Sequence, residues 1–245
     1  MLGVDISHWG GALRAETVRC WWERGVRRVI HGLQDLPLAE GNIATVRRVE
    51  PRIGIEAYHY VYLTSATRDR RLAEAAAFCR RLGLPRLWID LEDTEAAFTR
   101  LPREERVRLV RDAVAKARAL AGTDVRLGVY TGLWWWDAYL GRDTQVAPDL
   151  PLWIALYDGR QDLRWTSFGG WAAPVMKQYQ GTTSFCGHSV DLNWYEEDDM
   201  AEELAKTLEA RQKAAAIFSR LAAYALEGVK APPDLIAAGR FLLGG

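Results

Sequence analysis

The chain has 245 residues, 49% of them hydrophobic and 26% charged, with 32 basic side chains against 32 acidic ones. A chain of this length buries roughly 70–75% of its unfolded surface, so its core needs no metal or disulfide staple, and the composition excludes disorder and collagen-like structure. The absence of a basic excess argues against nucleic acid as a partner, and no stretch approaches the ~20 apolar residues of a membrane helix, so membrane insertion is not expected.

In chain order the sequence predicts strands and helices in alternation, the pattern of a sheet wrapped by helices. A strand over 4–7 leads to a helix over 15–24, a strand over 26–31, a helix over 41–49 and a strand over 53–60. Then come a helix over 68–82, a strand over 86–92, a helix over 102–120, a strand over 124–130 and a short helix over 134–139. Three more strands follow over 152–156, 175–179 and 189–193. Leu72, Ala75, Ala76, Cys79 and Leu82 recur at the helical period, as do Val107, Val110, Val114, Ala117 and Leu120, so each of those helices has one apolar face for the sheet. Eight strands suggest an α/β fold closed as a β/α barrel, irregular after Tyr130 where helices thin out. Residues 1–195 form this barrel. From 196 to 245 an acidic start and an apolar stripe through Leu204, Leu208, Ala215, Phe218, Leu221 and Ala225 predict a C-terminal helical extension, either closing the barrel or serving as a docking element.

Cys20, Cys79 and Cys186 are widely spaced without a C-x-x-C, and read as buried free thiols. Met1 runs into Leu2-Gly3-Val4-Asp5 without a basic and apolar leader, so synthesis in the cytoplasm without a signal peptide is expected. His8, His31, His59 and His188 have no paired ligand spacing, and neither a G-x-S-x-G elbow nor a Gly-rich phosphate loop occurs; no metal and no cofactor are expected.

The chemistry concentrates in carboxylates. Asp90 and Glu92 end the fourth strand two residues apart, on one face, with carboxyl groups roughly 5–9 Å apart. At ~7 Å and an effective dielectric of about 20, ionisation of one opposes that of the other by roughly 2.4 kcal/mol, enough to keep a proton on one of them near neutrality. An acid beside a carboxylate is what glycosidic bond cleavage requires, although the pair also suits a helix cap or arginine partners. Asp5 ends the first strand and Asp191 lies in the eighth; in a parallel barrel these strands are neighbours and their C-terminal ends share one rim, so four acids converge. Trp9, Tyr58, His59, Tyr60, Tyr130, Trp153, Tyr179 and Trp194 accompany these ends, and such rings suit the faces of a sugar as well as a core. Of Trp134, Trp135 and Trp136, which cannot share one helix face, at least one anchors in the core.

These residues, in order, resemble the family 25 glycoside hydrolases. Gly3-Val4-Asp5-Ile6-Ser7-His8-Trp9 is similar to that family's first-strand motif, Ala57-Tyr58-His59-Tyr60 to its third-strand motif and Trp88-Ile89-Asp90-Leu91-Glu92 to its strand-four D-x-E. Gly128-Val129-Tyr130-Thr131, Leu152-Trp153-Ile154-Ala155, Lys177-Gln178-Tyr179 and Val190-Asp191-Leu192-Asn193 follow in the family's order. Strand two departs from the pattern, reading Val29-Ile30-His31-Gly32-Leu33-Gln34-Asp35. The resemblance implies a flattened, TIM-like β/α barrel with fewer helices than strands, and a lysozyme that cleaves the β-1,4 bond between N-acetylmuramic acid and N-acetylglucosamine in bacterial peptidoglycan glycan strands. It implies Glu92 as general acid/base and Asp90 as the group that stabilises developing positive charge or orients the substrate's acetamido group. Asp5 and Asp191 then hold the constellation, while Trp9, Tyr58, His59, Tyr60, Tyr130, Trp153, Gln178, Tyr179 and Trp194 line the glycan site. A phage lysis enzyme or virion-borne hydrolase, acting on the wall after release, fits the expected lack of an export signal. Another reading is a catalytically weak glycan-binding or structural component of a phage particle, attached or self-associating through residues 196–245.

Overall fold

Eight short runs of β-branched and aromatic residues become eight strands, and their pairing closes a barrel in the order β1 to β8. The computed structural model describes residues 1–196 and isolated positions between 216 and 236. The chain divides into two units, residues 1–195 and 196–245. The long helix expected from 196 onward lies outside the described residues, apart from those isolated positions.

The strands are β1 (Leu2–Ile6), β2 (Val26–Gly32), β3 (Gly54–Tyr60), β4 (Arg86–Asp90), β5 (Arg126–Thr131), β6 (Leu152–Ala155), β7 (Met176–Phe185) and β8 (His188–Tyr195). The helices are α1 (Ala15–Glu23), α2 (Leu36–Val49), α3 (Arg68–Leu82), α4 (Ala96–Thr99), α5 (Arg103–Ala121) and α6 (Leu133–Tyr139). Helix α3 has the expected bounds because its apolar period is unbroken and Gly83, in the left-handed region at φ 59°, ends it. Helix α2 starts earlier than expected, since Asp35 caps it by accepting the Leu38 N–H at 3.0 Å and Pro37 occupies the first turn, where a missing N–H has no helical partner to lose.

The barrel is not wholly parallel. Strands β1 to β7 run parallel, but β8 is antiparallel to both β7 and β1. The reason is a hairpin: β7 extends to Phe185, which pairs with His188 across Cys186-Gly187, both at positive φ (54° and 73°), as a tight primed turn requires. Asp191 therefore reaches the rim from the first half of a reversed strand and not from a C-terminal strand end.

The same turn overturns the reading of the cysteines. Cys186 at its tip is disulfide-bonded to Cys20 of α1, 166 residues away in sequence, and Cys79 alone is free and buried. Thr17 Oγ1 and Trp21 Nε1 donate to the carbonyls of Cys186 and Phe185, each at 3.3 Å, tying the same helix to the same hairpin.

Alternation along each strand separates two interiors. Val4, Ile6, Val29, Ala57, Leu87, Ile89, Val129 and Ile154 face outward and pack against Val18, Ile43, Leu72, Cys79, Val110 and Val114 of the helices, an apolar layer. Inside the barrel the filling is aromatic and polar. The Trp153 ring lies 4.4 Å from Tyr130, 5.7 Å from Trp88 and 6.2 Å from Tyr58, all edge-on. A Cβ at Gly128 would sit 2.3 Å from the Trp88 ring, so only glycine lets that indole lie flat against β5. Below it, Arg28 and Glu56 form a buried ion pair at 3.5 Å, with Trp88 Nε1 donating to Glu56 at 2.6 Å. This aromatic floor leaves the acids at one end.

Candidate active site

Asp5 and Asp191 are directly opposed across the β1–β8 ladder, which places both side chains on the inner face. Asp90 ends β4, and Glu92 follows two residues later in the loop. One amide joins the first two: Gln178 Nε2 donates to Asp5 at 2.8 Å and to Asp191 at 3.0 Å. Asn193 Nδ2 donates to Asp5 at 2.7 Å, and the Thr182 backbone N–H donates to Asp191. The amides are themselves oriented. Tyr130 and Tyr157 donate their hydroxyls to Gln178 Oε1 at 2.6 and 2.8 Å, and Trp153 Nε1 donates to Asn193 Oδ1 at 2.8 Å. Both amides therefore present N–H to the carboxylates.

All four acids hold their protons more tightly than ordinary carboxyls. Burial raises Asp5 most, with Asp191 adding repulsion and the two amides offsetting part of it. Burial likewise raises Asp191, against the Thr182 hydrogen bond. Asp90 is raised by burial, then by Glu92 and Asp5, and its Oδ1 is buried without a hydrogen-bond partner among the protein atoms. Glu92 is raised to about 7 by burial, with the Gly132 amide and the Trp134 indole pulling the other way; its Oε1 also makes no hydrogen bond of normal geometry. The two carboxyls of this pair also oppose each other's ionisation. Among the described residues no Lys or Arg forms an ion pair with any of the four.

The expected aromatic residues divide by strand face. Tyr58 points among the acids, its hydroxyl pushed upward by burial and then by Asp5, Asp90 and Asp191 while Gln34 bonds to it. Gly32 makes room for that contact, because a Cβ there would lie 2.4 Å from Gln34 Oε1 and 2.8 Å from the Tyr58 oxygen; the departure at strand two is thus built into the site. Tyr60 donates to the Glu92 carbonyl at 3.1 Å, and Trp9 stands 84% exposed beyond β1. Trp153 is buried beneath the acids as floor.

Three expected residues are not brought to the acids. His59 lies on the helix side of β3 near Arg71, with burial lowering its pKa to about 4. Tyr179, next to the inward Gln178, turns outward and accepts a hydrogen bond from Gln161 Nε2 at 3.0 Å. Trp194, next to the inward Asn193, faces outward as well, opposite Leu2 and Lys177. Period-two alternation assigns adjacent residues to opposite faces, so in Tyr58-His59-Tyr60, Gln178-Tyr179 and Asn193-Trp194 only every second residue can line the site.

Four further residues stand at the site without having been expected there: Asn193, Tyr157, Trp134 and Tyr62. Asn193 was legible in principle, two residues after Asp191 on the same face. Tyr157 comes from the loop after β6, and that loop is clamped by Lys177, whose fully buried ammonium pairs with Asp162 at 2.7 Å and Asp158 at 3.2 Å. Trp134, Tyr157 and Tyr62 are 52%, 58% and 38% exposed and give the rim flat apolar faces. Among the described residues no three His, Cys, Asp or Glu side chains are arranged to hold a metal ion.

The chain matches the model of the glycosyl hydrolases family 25 over residues 4–188. A probable GH family 25 lysozyme 3 of Dictyostelium discoideum is 40% identical over 111 residues, which are 44% of this chain and 22% of that protein. Counting factor 50 of the same organism is 37% identical over 112 residues, or 44% of this chain and 35% of that one. The chain thus spans well under half the length of these curated relatives. Among solved structures, a muramidase from Acremonium alcalophilum superposes with a TM-score of 0.61 at 19% identity, covering 83% of this chain and 97% of that one. A family 25 glycosyl hydrolase from Bacillus anthracis gives 0.59 at 17%, covering 83% and 92%. At these identities the likeness is one of fold, and it agrees with the closed, helix-poor α/β barrel. Because the family match runs from β1 to the first residue of β8 and takes in all of the barrel's parallel strands, the chain belongs to the glycosyl hydrolases family 25.

Proposed function

We propose that the protein is a peptidoglycan hydrolase of the lysozyme type, cleaving the β-1,4 bond between N-acetylmuramic acid and N-acetylglucosamine. One observation carries this reading: Glu92 keeps a proton near neutrality, at about 7, beside Asp90 in a cluster that no described cation neutralises. On this reading Glu92 gives that proton to the glycosidic oxygen as the C–O bond breaks and the bonding pair leaves with the oxygen. The positive charge developing at the anomeric carbon is met by the carboxylate form of Asp90, whose Oδ1 accepts no hydrogen bond from the protein. A water oxygen then bonds to the anomeric carbon and returns a proton to Glu92. Tyr58, Tyr157, Trp134 and Trp9 supply hydroxyls and ring faces for the sugars.

The proposal extends to where the enzyme works. A disulfide such as Cys20–Cys186 persists in oxidising surroundings outside the cytoplasm, where wall glycan is met. A phage lysis or virion-borne hydrolase meets its substrate there, with residues 196–245 as an attachment element.

Digestion of purified peptidoglycan, with the new reducing ends identified by mass spectrometry, tests the reading. Muramic acid ends are expected, falling by about 10²–10⁴-fold in Glu92→Gln. N-acetylglucosamine ends, or binding with no cleavage at all, contradict it.

A further inference from the structure

The rim carries a hollow that bond cleavage itself does not use. It lies between the loops that follow β3 and β4, has a volume of about 400 Å³, and is lined by Tyr62, Thr64, Ser65, Arg71, Glu95 and Ala97. It adjoins the general acid: Tyr62 packs edge-on against Tyr60 at 4.7 Å, and Tyr60 donates to the Glu92 carbonyl.

Its walls are fixed by a buried carboxylate. Asp93, fully buried, accepts the Leu63 N–H at 2.7 Å from one loop and the Glu95 N–H at 2.9 Å from the other, while its own carbonyl accepts Trp135 Nε1 at 2.8 Å. The hollow's two charges are left available. Arg68, Arg70 and Arg81 of α3, like Arg108 and Arg118 of α5, each pair with a carboxylate. Among the described residues Arg71 and Glu95 form no such pair, and the Arg71 guanidinium stands over the Tyr62 ring at 5.9 Å.

We propose that this hollow receives the stem peptide carried by a muramyl residue at the scissile bond, and so makes the enzyme prefer peptide-bearing glycan. This rests on the hydrolase reading above. A stem peptide presents carboxylates and, from its diamino acid, an ammonium group; Arg71 meets the first, Glu95 the second, and Tyr62 covers the methyl and methylene groups between them. A muramyl residue without its peptide keeps one lactyl carboxylate and no ammonium, and so lacks the pair of charges that Arg71 and Glu95 match. The peptide hangs from the ring beside the bond being cut, and the Tyr62–Tyr60 pair joins the hollow to the Glu92 backbone.

Two measurements test the proposal. The first compares kcat/KM on intact glycan strands with strands stripped of peptide by an amidase, for the wild type, Arg71→Met, Glu95→Gln and a control, Arg70→Met, whose partner Glu74 lies outside the hollow. The wild type and control are expected to favour peptide-bearing strands, and each hollow variant to lose roughly three- to tenfold of that preference while cutting stripped strands at the wild-type rate. The second is calorimetric titration with an N-acetylmuramyl peptide against N-acetylmuramic acid, which needs no turnover; tighter binding of the peptide form, lost in both variants, is expected. Equal rates on the two strands, or equal binding of the two ligands, overturns the proposal. Peptide-dependent binding without any cleavage would instead refute the hydrolase reading and leave this one standing.

Discussion

At the residue scale the site is an exercise in keeping acids protonated. Burial dominates the upward shift at each of Asp5, Asp90, Glu92 and Asp191, and amide donors rather than cations hold the geometry of the Asp5–Asp191 pair. A guanidinium would have lowered these groups into the ordinary carboxylate range and removed the acid; Gln178 and Asn193 orient without doing so. The rate should therefore fall as pH rises through about 7, because the step that needs a proton on Glu92 loses it. A pH profile of kcat/KM checks this, and Asp90→Asn, which removes a like charge, should move the alkaline limb to lower pH while slowing turnover. An unchanged limb would show that Asp90 does not act on Glu92.

At the element scale two devices shape the rim. The first is the β7–β8 hairpin, whose tip is bonded covalently to α1 and so holds together segments 166 residues apart. Closing so long a loop restricts the unfolded chain strongly, and reduction of Cys20–Cys186 should cost about 2–5 kcal/mol. Thermal melts with and without reductant read this as a lower Tm, and a Cys186→Ser variant should melt like the reduced protein. The second is the Lys177 clamp on the loop that carries Tyr157. Lys177→Met leaves Asp158 and Asp162, about a third exposed, without their partner, and should cost about 1–2 kcal/mol. Because Tyr157 donates to Gln178, the same change should lower kcat/KM on peptidoglycan several-fold, and Lys177→Arg should recover part of it.

At the scale of the whole molecule the acid cluster works against the fold. A carboxyl whose pKa is higher folded than unfolded stabilises the native state below its unfolded pKa, and that contribution disappears as pH rises through the folded value. Glu92, moving from an ordinary 4.5 to about 7, alone accounts for on the order of 3 kcal/mol across that window. Urea unfolding at pH 5 and pH 8 should show the protein losing stability on the alkaline side, and Glu92→Gln should be the more stable protein at pH 8 though inactive. Equal stability of the two proteins at pH 8 would mean that Glu92 is not held in a desolvated site. The aromatic floor of Trp88, Tyr130 and Trp153 bears this cost, since it keeps water from reaching the carboxyls from below.

Much of this was determined by the sequence by itself. The apolar periods gave α3 its bounds, runs of β-branched and aromatic residues located all eight strands, and covalent spacing kept the acids of D-x-E close in the chain, although β4 ends at Asp90 and Glu92 lies in the loop beyond it. Tertiary structure decided the rest. The Cys20–Cys186 bond and the partnership of Gln178 with Asp5 depend on segments more than 160 residues apart meeting when the barrel closes, while the reversed direction of β8 and the contact of Gln178 with Asp191 follow from the β7–β8 hairpin. Local propensity depends on a few neighbouring residues and carries no record of such meetings. The same holds for His59, Tyr179 and Trp194, whose chemistry suited a sugar site but whose strand registers turned them away from it, because facing is settled by which side of a strand the closed sheet makes its interior.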